Sequence, residues 1–140
     1  MNDIKLMNKA ADNIRILAAS MVEKAKSGHP GGAMGGADFV NVLFSEFLVY
    51  DPKNPAWEGR DRYFQDPGHM SPMLYSVLAL AGKFTIDELK EFRQWGSVTP
   101  GHPEVNVMRG IENTSGPLGQ GHTYAVGAAI AAKFLKARLG

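Results

Sequence analysis

The sequence of 140 residues contains no cysteine. This absence excludes disulfide frameworks and zinc sites built on thiolates. Basic charge is not concentrated either, because 15 Lys and Arg face 14 Asp and Glu and are scattered along the chain. Nucleic-acid binding usually requires a basic stripe on one face, so we expect no nucleic-acid partner.

Long apolar runs are also missing. The nearest candidate, residues 125–132, is far shorter than the ~20 residues of a membrane span. Residues 1–10 have no apolar core of signal-peptide length. A chain of this size suits a single domain. We therefore expect a soluble, cytoplasmic protein with no membrane partner.

Apolar residues recur at helical spacing in five stretches. These stretches are residues 4–25, 39–48, 73–81, 85–95 and 122–138. Thr85 and Glu88 have the spacing of a capping box at the start of the fourth helix. The last helix is rich in alanine, and we expect it to be buried and tightly packed. Residues 62–65 are predicted to form a short strand.

Each of the four histidines directly follows a glycine. They are His29, His69, His102 and His122. Glycine permits backbone conformations that other residues avoid, and the proline after His29 and His102 restrains the backbone further. Such a loop holds an imidazole at a set angle, which suits proton transfer near neutral pH or the binding of phosphate oxygens.

Two other interpretations of the histidines stay open. Gly-His-Pro is also ordinary turn chemistry, because loops favour these residues. A zinc site made of three histidines is the second alternative, although the spacings are long and no close ligand pair supports it.

A glycine-rich loop, residues 116–121, opens the last helix. It matches neither the GxGxxG pattern nor the P-loop, so the standard nucleotide fingerprints fail. Bare amides at a helix start favour anions. The glycines would equally allow a ligand or another backbone to come close.

Four motifs together resemble the amino-terminal part of transketolases. They are KSGHPG from Lys26, Gly68-His69, PGHPE from Pro100, and TSGPLGQG from Thr114. They occur in the family's order and at similar separations, and the resemblance covers nearly the whole chain. Dihydroxyacetone synthases, which belong to the same group, remain an alternative.

The resemblance implies an α/β thiamine-diphosphate-binding fold, a parallel sheet flanked by helices, of which this piece is predominantly helical. Residues 1–140 would be the amino-terminal portion of the diphosphate-binding domain, truncated before the metal-binding loop. The full-length family is homodimeric, uses thiamine diphosphate with Mg²⁺, and transfers a two-carbon ketol unit between sugar phosphates. The metal ligands and the catalytic glutamate would lie in a missing carboxy-terminal portion or partner subunit.

The resemblance also implies roles for individual residues. His29 would lie beside the reacting carbon and aid proton transfer. His102 would bind hydroxyls of the donor sugar, and His69 the cofactor's diphosphate. The cofactor's aminopyrimidine ring would lie against Gly116, Pro117 and Leu118. No metal ligand is assigned in this chain.

Two positions depart from the usual family pattern. Asp66-Pro67 precedes Gly68, and we expect the carboxylate of Asp66 to raise the pKa of His69 by charge proximity. His122 stands where the family more often has an aliphatic residue, and no role is carried onto it.

Without its missing parts, the chain is expected to lack transketolase activity and to bind thiamine diphosphate weakly. A non-catalytic binding or interaction module on the same scaffold is the alternative. From the residues alone, a metal-dependent or phosphate-binding protein that uses the four histidines also remains open.

Overall fold

A computed structural model describes residues 2–140. These residues form six α-helices and no strand, so the prediction of a predominantly helical piece is confirmed. The helices are α1 (Ile4–Ala25), α2 (Pro30–Gly35), α3 (Ala37–Val42), α4 (Ser71–Leu80), α5 (Ile86–Lys90) and α6 (Gln120–Leu139). The parallel sheet that the resemblance implied is absent from the described residues.

Helix α4 is the centre of the core. Every residue from Ser71 to Leu78 is buried, and α1, α2, α3 and α5 all contact this helix. A helix that is buried on all sides needs a neighbour on each face, and its apolar side chains are stable only inside a protein. The buried face of α1, which includes Ile14, Ala18 and Met21, covers one of them.

The two strongest sequence signals outside α4 are confirmed. Helix α1 has its predicted bounds and is capped by Asp3, whose carboxylate accepts a hydrogen bond from the Lys5 amide. The capping box at α5 is also present, with Thr85 and Glu88 bonded reciprocally. Both helix starts are determined by side chains within four residues, which is why the sequence reveals them.

Three predicted element boundaries are wrong. Helix α5 ends at Lys90 rather than near Trp95, because Arg93 adopts a left-handed backbone conformation (φ 63°) and its amide donates to the Thr99 carbonyl. The glycine-rich residues after His29 form helix α2 instead of a loop. The helix predicted over residues 39–48 is α3, which continues into a π-helical turn, Leu43–Phe47.

The strand predicted at residues 62–65 does not form. The segment lacks a partner strand, and at its end the side chain of Asn113 replaces one. The Gln65 amide donates to Asn113 Oδ1 (3.0 Å), and Asn113 Nδ2 donates to the Gln65 carbonyl (3.2 Å). The buried backbone groups are thus satisfied without a sheet, as burial requires.

Gly68 lies where this segment crosses the start of the glycine-rich loop. A Cβ atom at Gly68 would lie 2.4 Å from the Ser115 carbonyl oxygen and 2.8 Å from its carbonyl carbon. Both are backbone atoms, which cannot move aside as the end of a flexible side chain can. The two segments therefore approach as closely as they do because residue 68 has no side chain.

Helix α6 contradicts the prediction of a buried helix. Its small residues are exposed, and Gly121 is its only buried residue. Large apolar residues such as Val126, Ile130 and Phe134 are also exposed. No other part of residues 2–140 covers this helix along its length, so the small side chains have no neighbour against which to pack. Among the described residues, no helix combines the length and the apolar character that a membrane span requires.

Glu88 makes the stability of this fold depend on pH. Hydrogen bonds from the Arg109 guanidinium (2.7 Å) and the Thr85 amide (2.8 Å) hold the pKa of Glu88 at about 2, below its ordinary value of 4.5. A carboxylate with a lowered folded-state pKa stabilises the fold above its unfolded-state pKa and loses that contribution as the pH falls.

We therefore predict that Glu88→Gln destabilises the chain by about 1 kcal/mol at pH 6. The difference from the wild type should shrink between about pH 4.5 and pH 2, as measured by urea unfolding at several pH values. Glu58→Gln is the control, because Glu58 makes only an exposed ion pair with Arg62. A pH-independent difference for Glu88→Gln would contradict the prediction.

Gly68→Ala is predicted to destabilise the fold by about 2–3 kcal/mol, because the new methyl group must displace backbone atoms. Thermal or urea unfolding measures the loss. Gly35→Ala is the matched control, since nothing lies within 4 Å of a Cβ at that helical position. The control should change stability by no more than about 1 kcal/mol. Equal stability of both variants would show that the close approach at Gly68 is unimportant.

Candidate functional site

His29 is positioned by the start of helix α2. It is the N-cap residue, with an extended backbone (φ −127°, ψ 97°), and Pro30 occupies the first helical position. Proline suits that position because its fixed φ is already helical and its missing N–H has no partner there to lose. The Gly-His-Pro motif therefore fixes where the backbone of His29 lies and leaves its ring exposed.

His69 meets His29 from a separate segment. The two ring centroids are 4.6 Å apart, and the ring planes are tilted by 43°. His69 belongs to the short 3₁₀ turn Gly68–Met70, which leads directly into the buried helix α4. Its half-buried ring is thus anchored to the core, whereas the ring of His29 lies on the solvent side.

His102 lies on a loop that α4 holds through two hydroxyl groups. The Ser71 hydroxyl donates to the Gly101 carbonyl (2.7 Å), and the Tyr75 hydroxyl donates to the Pro100 carbonyl (2.8 Å). Both hydroxyl-bearing residues are fully buried. The backbone immediately before His102 is therefore tied to the same helix that carries His69 at its start.

Arg93 connects the loops of His29 and His102. Its Nη1 donates to Ser27 Oγ (2.8 Å), and a Cβ at Gly101 would lie 2.7 Å from its Nε. Its left-handed backbone costs a non-glycine residue roughly 1–2 kcal/mol. Strain of this kind persists where surrounding contacts enforce it, often at functional sites. Sequence reasoning missed Arg93, because its bonds to Ser27 and Thr99 depend on how the loops fold.

Burial and nearby cations lower the pKa of His102. Desolvation has the largest effect, followed by the Arg93 guanidinium, His69 and His29. The neutral imidazole that results can accept a proton or a hydrogen bond near neutral pH.

A cleft of about 830 Å³ adjoins His102. Polar side chains on its wall include Ser27, Arg93 and Arg109, and Trp95 at its edge is fully exposed. The size is within the range of small-molecule sites. His29 and His69 are not part of its wall.

The glycine-rich loop lies next to His69 through the contact between Ser115 and Gly68. Gly116, Pro117 and Leu118 are exposed, and Leu118 presents an apolar side chain on the surface. The Ser115 hydroxyl is buried and has no hydrogen-bond partner among residues 2–140. Bare backbone and an exposed leucine fit the face of a flat ring, such as an aminopyrimidine.

The histidines do not form a metal centre. Between Asn2 and Gly140, no three His, Asp or Glu side chains are grouped closely enough to hold a metal ion. The geometry therefore gives no support to a three-histidine zinc site. It also offers no cluster of carboxylates that would hold a divalent cation in this part of the chain.

Asp66 has a different partner from the one expected. Its Oδ2 lies 2.8 Å from Nδ1 of His122, and its Oδ1 accepts a hydrogen bond from the Gly119 amide (3.1 Å). Neither oxygen is bonded to His69, the histidine that we expected Asp66 to influence. His122, to which the sequence assigned no role, is separate from the group formed by the other three histidines.

Similarity to known proteins extends over the segments that carry the site residues. Residues 6–140 match the family described as "Transketolase, thiamine diphosphate binding domain". Transketolase-1, chloroplastic, from Arabidopsis thaliana is 52% identical over 138 residues, which are 97% of this chain and 19% of that protein.

Two solved structures are similar. Transketolase from Campylobacter jejuni is 49% identical with a TM-score of 0.89, over 94% of this chain and 21% of that one. A Pichia stipitis transketolase in complex with sedoheptulose-7-phosphate is 45% identical with a TM-score of 0.85, over 89% of this chain and 18% of that one.

The chain thus spans about a fifth of the length of the curated relatives that it matches. Nearly all of it aligns with them, including the four motifs that carry His29, His69, His102 and the glycine-rich loop. On this match the chain belongs to the transketolase family, within its thiamine diphosphate binding domain.

Proposed function

We propose that this chain is the amino-terminal portion of the diphosphate-binding domain of a transketolase-type enzyme. The complete enzyme would transfer a two-carbon ketol unit between sugar phosphates in the cytoplasm, as in the pentose phosphate pathway. One observation carries the proposal: the rings of His29 and His69 are 4.6 Å apart, Ser71 bonds the Gly101 carbonyl next to His102, and Ser115 contacts Gly68 next to His69. The sugar phosphate in the Pichia stipitis complex supports the substrate class.

Thiamine diphosphate, when bound, supplies the electron sink for breaking a carbon–carbon bond next to a carbonyl. The residues of this chain would bind, orient and move protons around it. His69, half-buried at the start of α4, would donate a hydrogen bond to the diphosphate. Gly116, Pro117 and Leu118 would contact the aminopyrimidine ring, for which they offer bare backbone and an apolar surface.

The other two histidines would act on the substrate. His29 is exposed and lies 4.6 Å, ring to ring, from His69, so it would reach hydroxyls near the reacting carbon and transfer protons. His102 would accept hydrogen bonds from hydroxyls of the donor sugar, because its lowered pKa favours the neutral imidazole. Arg93 holds the loops of both histidines at a fixed separation.

The remaining parts of the site would come from elsewhere. We propose that the Mg²⁺ ligands follow residue 140 and that a glutamate from a later domain is supplied across a homodimer interface. The exposed apolar side chains of α6 are consistent with a surface that further chain or a second subunit covers. A dihydroxyacetone synthase is the alternative within the same group. Sequencing the gene beyond codon 140 separates an enzyme from a non-catalytic module on this scaffold.

Calorimetric titration with thiamine diphosphate and Mg²⁺ tests the cofactor site. We expect weak binding by the 140-residue chain and about tenfold weaker binding by His69→Ala, because a charge-assisted hydrogen bond to the diphosphate is lost. We expect no transketolase turnover by either. Robust turnover by the isolated chain would contradict the proposed fragment.

Lys5→Ala is the control for nonspecific attraction of the diphosphate. Lys5 is exposed in the first turn of α1, at the opposite end of that helix from His29. Its loss should leave the affinity unchanged. If His69→Ala and Lys5→Ala bind the cofactor as well as the wild type does, the role proposed for His69 is wrong.

The titration of His102 tests its proposed state. Arg93→Gln should raise the pKa of His102 toward its ordinary value of 6.5, but only in part, because desolvation is the larger cause of the lowering. The proton shifts of the imidazole ring, followed by NMR between pH 4 and 9, measure this change. Lys24→Gln, which removes an exposed cation outside the site, should not alter the titration. An unchanged His102 pKa in Arg93→Gln would exclude the proposed electrostatic effect.

A further inference from the structure

Asp66 carries a carboxylate that is almost completely buried. Its side chain is only 9% exposed. Two groups contact its oxygens, the Gly119 amide at Oδ1 and the His122 ring at Oδ2. A buried carboxylate is costly unless hydrogen bonds or an opposite charge compensate it. Both compensating groups belong to one short stretch of chain, residues 119–122.

This stretch is the start of helix α6, which has no cap of its own. The N-cap residue is Gly119, whose backbone is left-handed (φ 88°), and no acidic residue lies in the first turn. The start of a helix carries unpaired amides and a partial positive charge, both of which favour an anion. Asp66, from a distant part of the sequence, provides that anion.

The same place is where α6 contacts the rest of the protein most closely. A Cβ atom at Gly121 would lie 2.4 Å from Asp66 Cβ and 2.9 Å from the Gln65 carbonyl oxygen. Gly121 is also the only buried residue of α6. The beginning of the helix is therefore held on the segment that leads to His69, while the remainder of the helix is exposed.

We propose that Asp66 and His122 are positioning residues for the glycine-rich loop. Asp66 holds the end of the loop by accepting a hydrogen bond from the Gly119 amide at Oδ1. His122 contacts the other carboxylate oxygen, Oδ2, and so helps to hold Asp66 in place. Residues 116–118 are held between this point and the contact of Ser115 with Gly68. The inference rests on the proposed function in one respect, that residues 116–118 contact the aminopyrimidine ring of thiamine diphosphate.

The two residues contribute unequally. The Gly119 contact is a hydrogen bond to a buried charge, which is the stronger kind. The side chain of His122 is 80% exposed, so water screens its interaction. Nδ1–H donates in the cationic ring and in one neutral tautomer, so the contact does not require a charged histidine. Asp66→Ala should therefore have a larger effect than His122→Phe.

Amide hydrogen exchange by NMR in the 140-residue chain without cofactor tests the pair. We expect exchange at the Gly119 amide to be about tenfold faster in Asp66→Ala, in which its acceptor is lost. His122→Phe keeps a ring but no donor and should give an increase of about twofold to threefold. Asp66→Asn keeps a carbonyl acceptor and should restore most of the protection.

The matched control is Asp87→Ala, which removes an exposed carboxylate paired with Lys90. It should leave exchange at Gly119 unchanged. Because His122 is exposed, we expect His122→Phe to fold. This variant keeps the test decisive even if Asp66→Ala fails to fold. Wild-type exchange at Gly119 in both Asp66→Ala and His122→Phe would overturn the proposal, and so would wild-type exchange in His122→Phe alone if Asp66→Ala fails to fold.

Titration of the same variants with thiamine diphosphate and Mg²⁺, followed at the Gly116 and Leu118 amides, tests the positioning role. We expect at least threefold weaker binding by Asp66→Ala and rescue by Asp66→Asn. Wild-type affinity in both Asp66→Ala and His122→Phe would overturn that role. If even the wild type shows no shifts, the proposed function fails for this chain, and the exchange rates still decide whether Asp66 and His122 fix the loop.

Discussion

The geometry of the site depends on the burial of helix α4. Its residues from Ser71 to Leu78 have no exposed face, so their polar groups must find partners inside the protein. The hydroxyls of Ser71 and Tyr75 find them in the backbone just before His102. His69 lies at the start of the same helix. The positions of His69 and His102 therefore depend on the packing of the core. A change that loosens α4 would displace both histidines.

Polar side chains connect the segments that lie outside this core. Asn113 bonds both backbone groups of Gln65, as a neighbouring strand would, and Arg93 joins the loops of two histidines. Arg60 and Glu112 form a further pair, each about nine-tenths buried. Such contacts are expensive to leave unpaired, so they specify one arrangement of long loops that have little apolar surface.

The sequence predicted features that depend on neighbouring residues and missed those that depend on distant ones. The bounds of α1 and the capping box of α5 follow from local chemistry, whereas the grouping of His29, His69 and His102 follows from the family resemblance. The end of α5 was missed because Arg93 reverses the chain through a tertiary contact with Thr99. Residues 62–65 have the composition of a strand, but strand formation requires a partner, and here a side chain takes its place. The exposure of α6 was also unpredictable. Small residues indicate that a helix packs closely, but they do not indicate which part of the protein it packs against.

The amide of Asn113 has a practical consequence for producing the protein. Asn113-Thr114-Ser115 is a glycosylation sequon, yet the asparagine is only 4% exposed and its Nδ2 donates to the Gln65 carbonyl. A sugar attached to that nitrogen could not fit beneath the loop. In a secretory host the oligosaccharide would have to be added before the chain folds, and the modified chain could not then close. Expression in bacteria, or replacement of Ser115, whose hydroxyl the sequon requires, avoids this conflict.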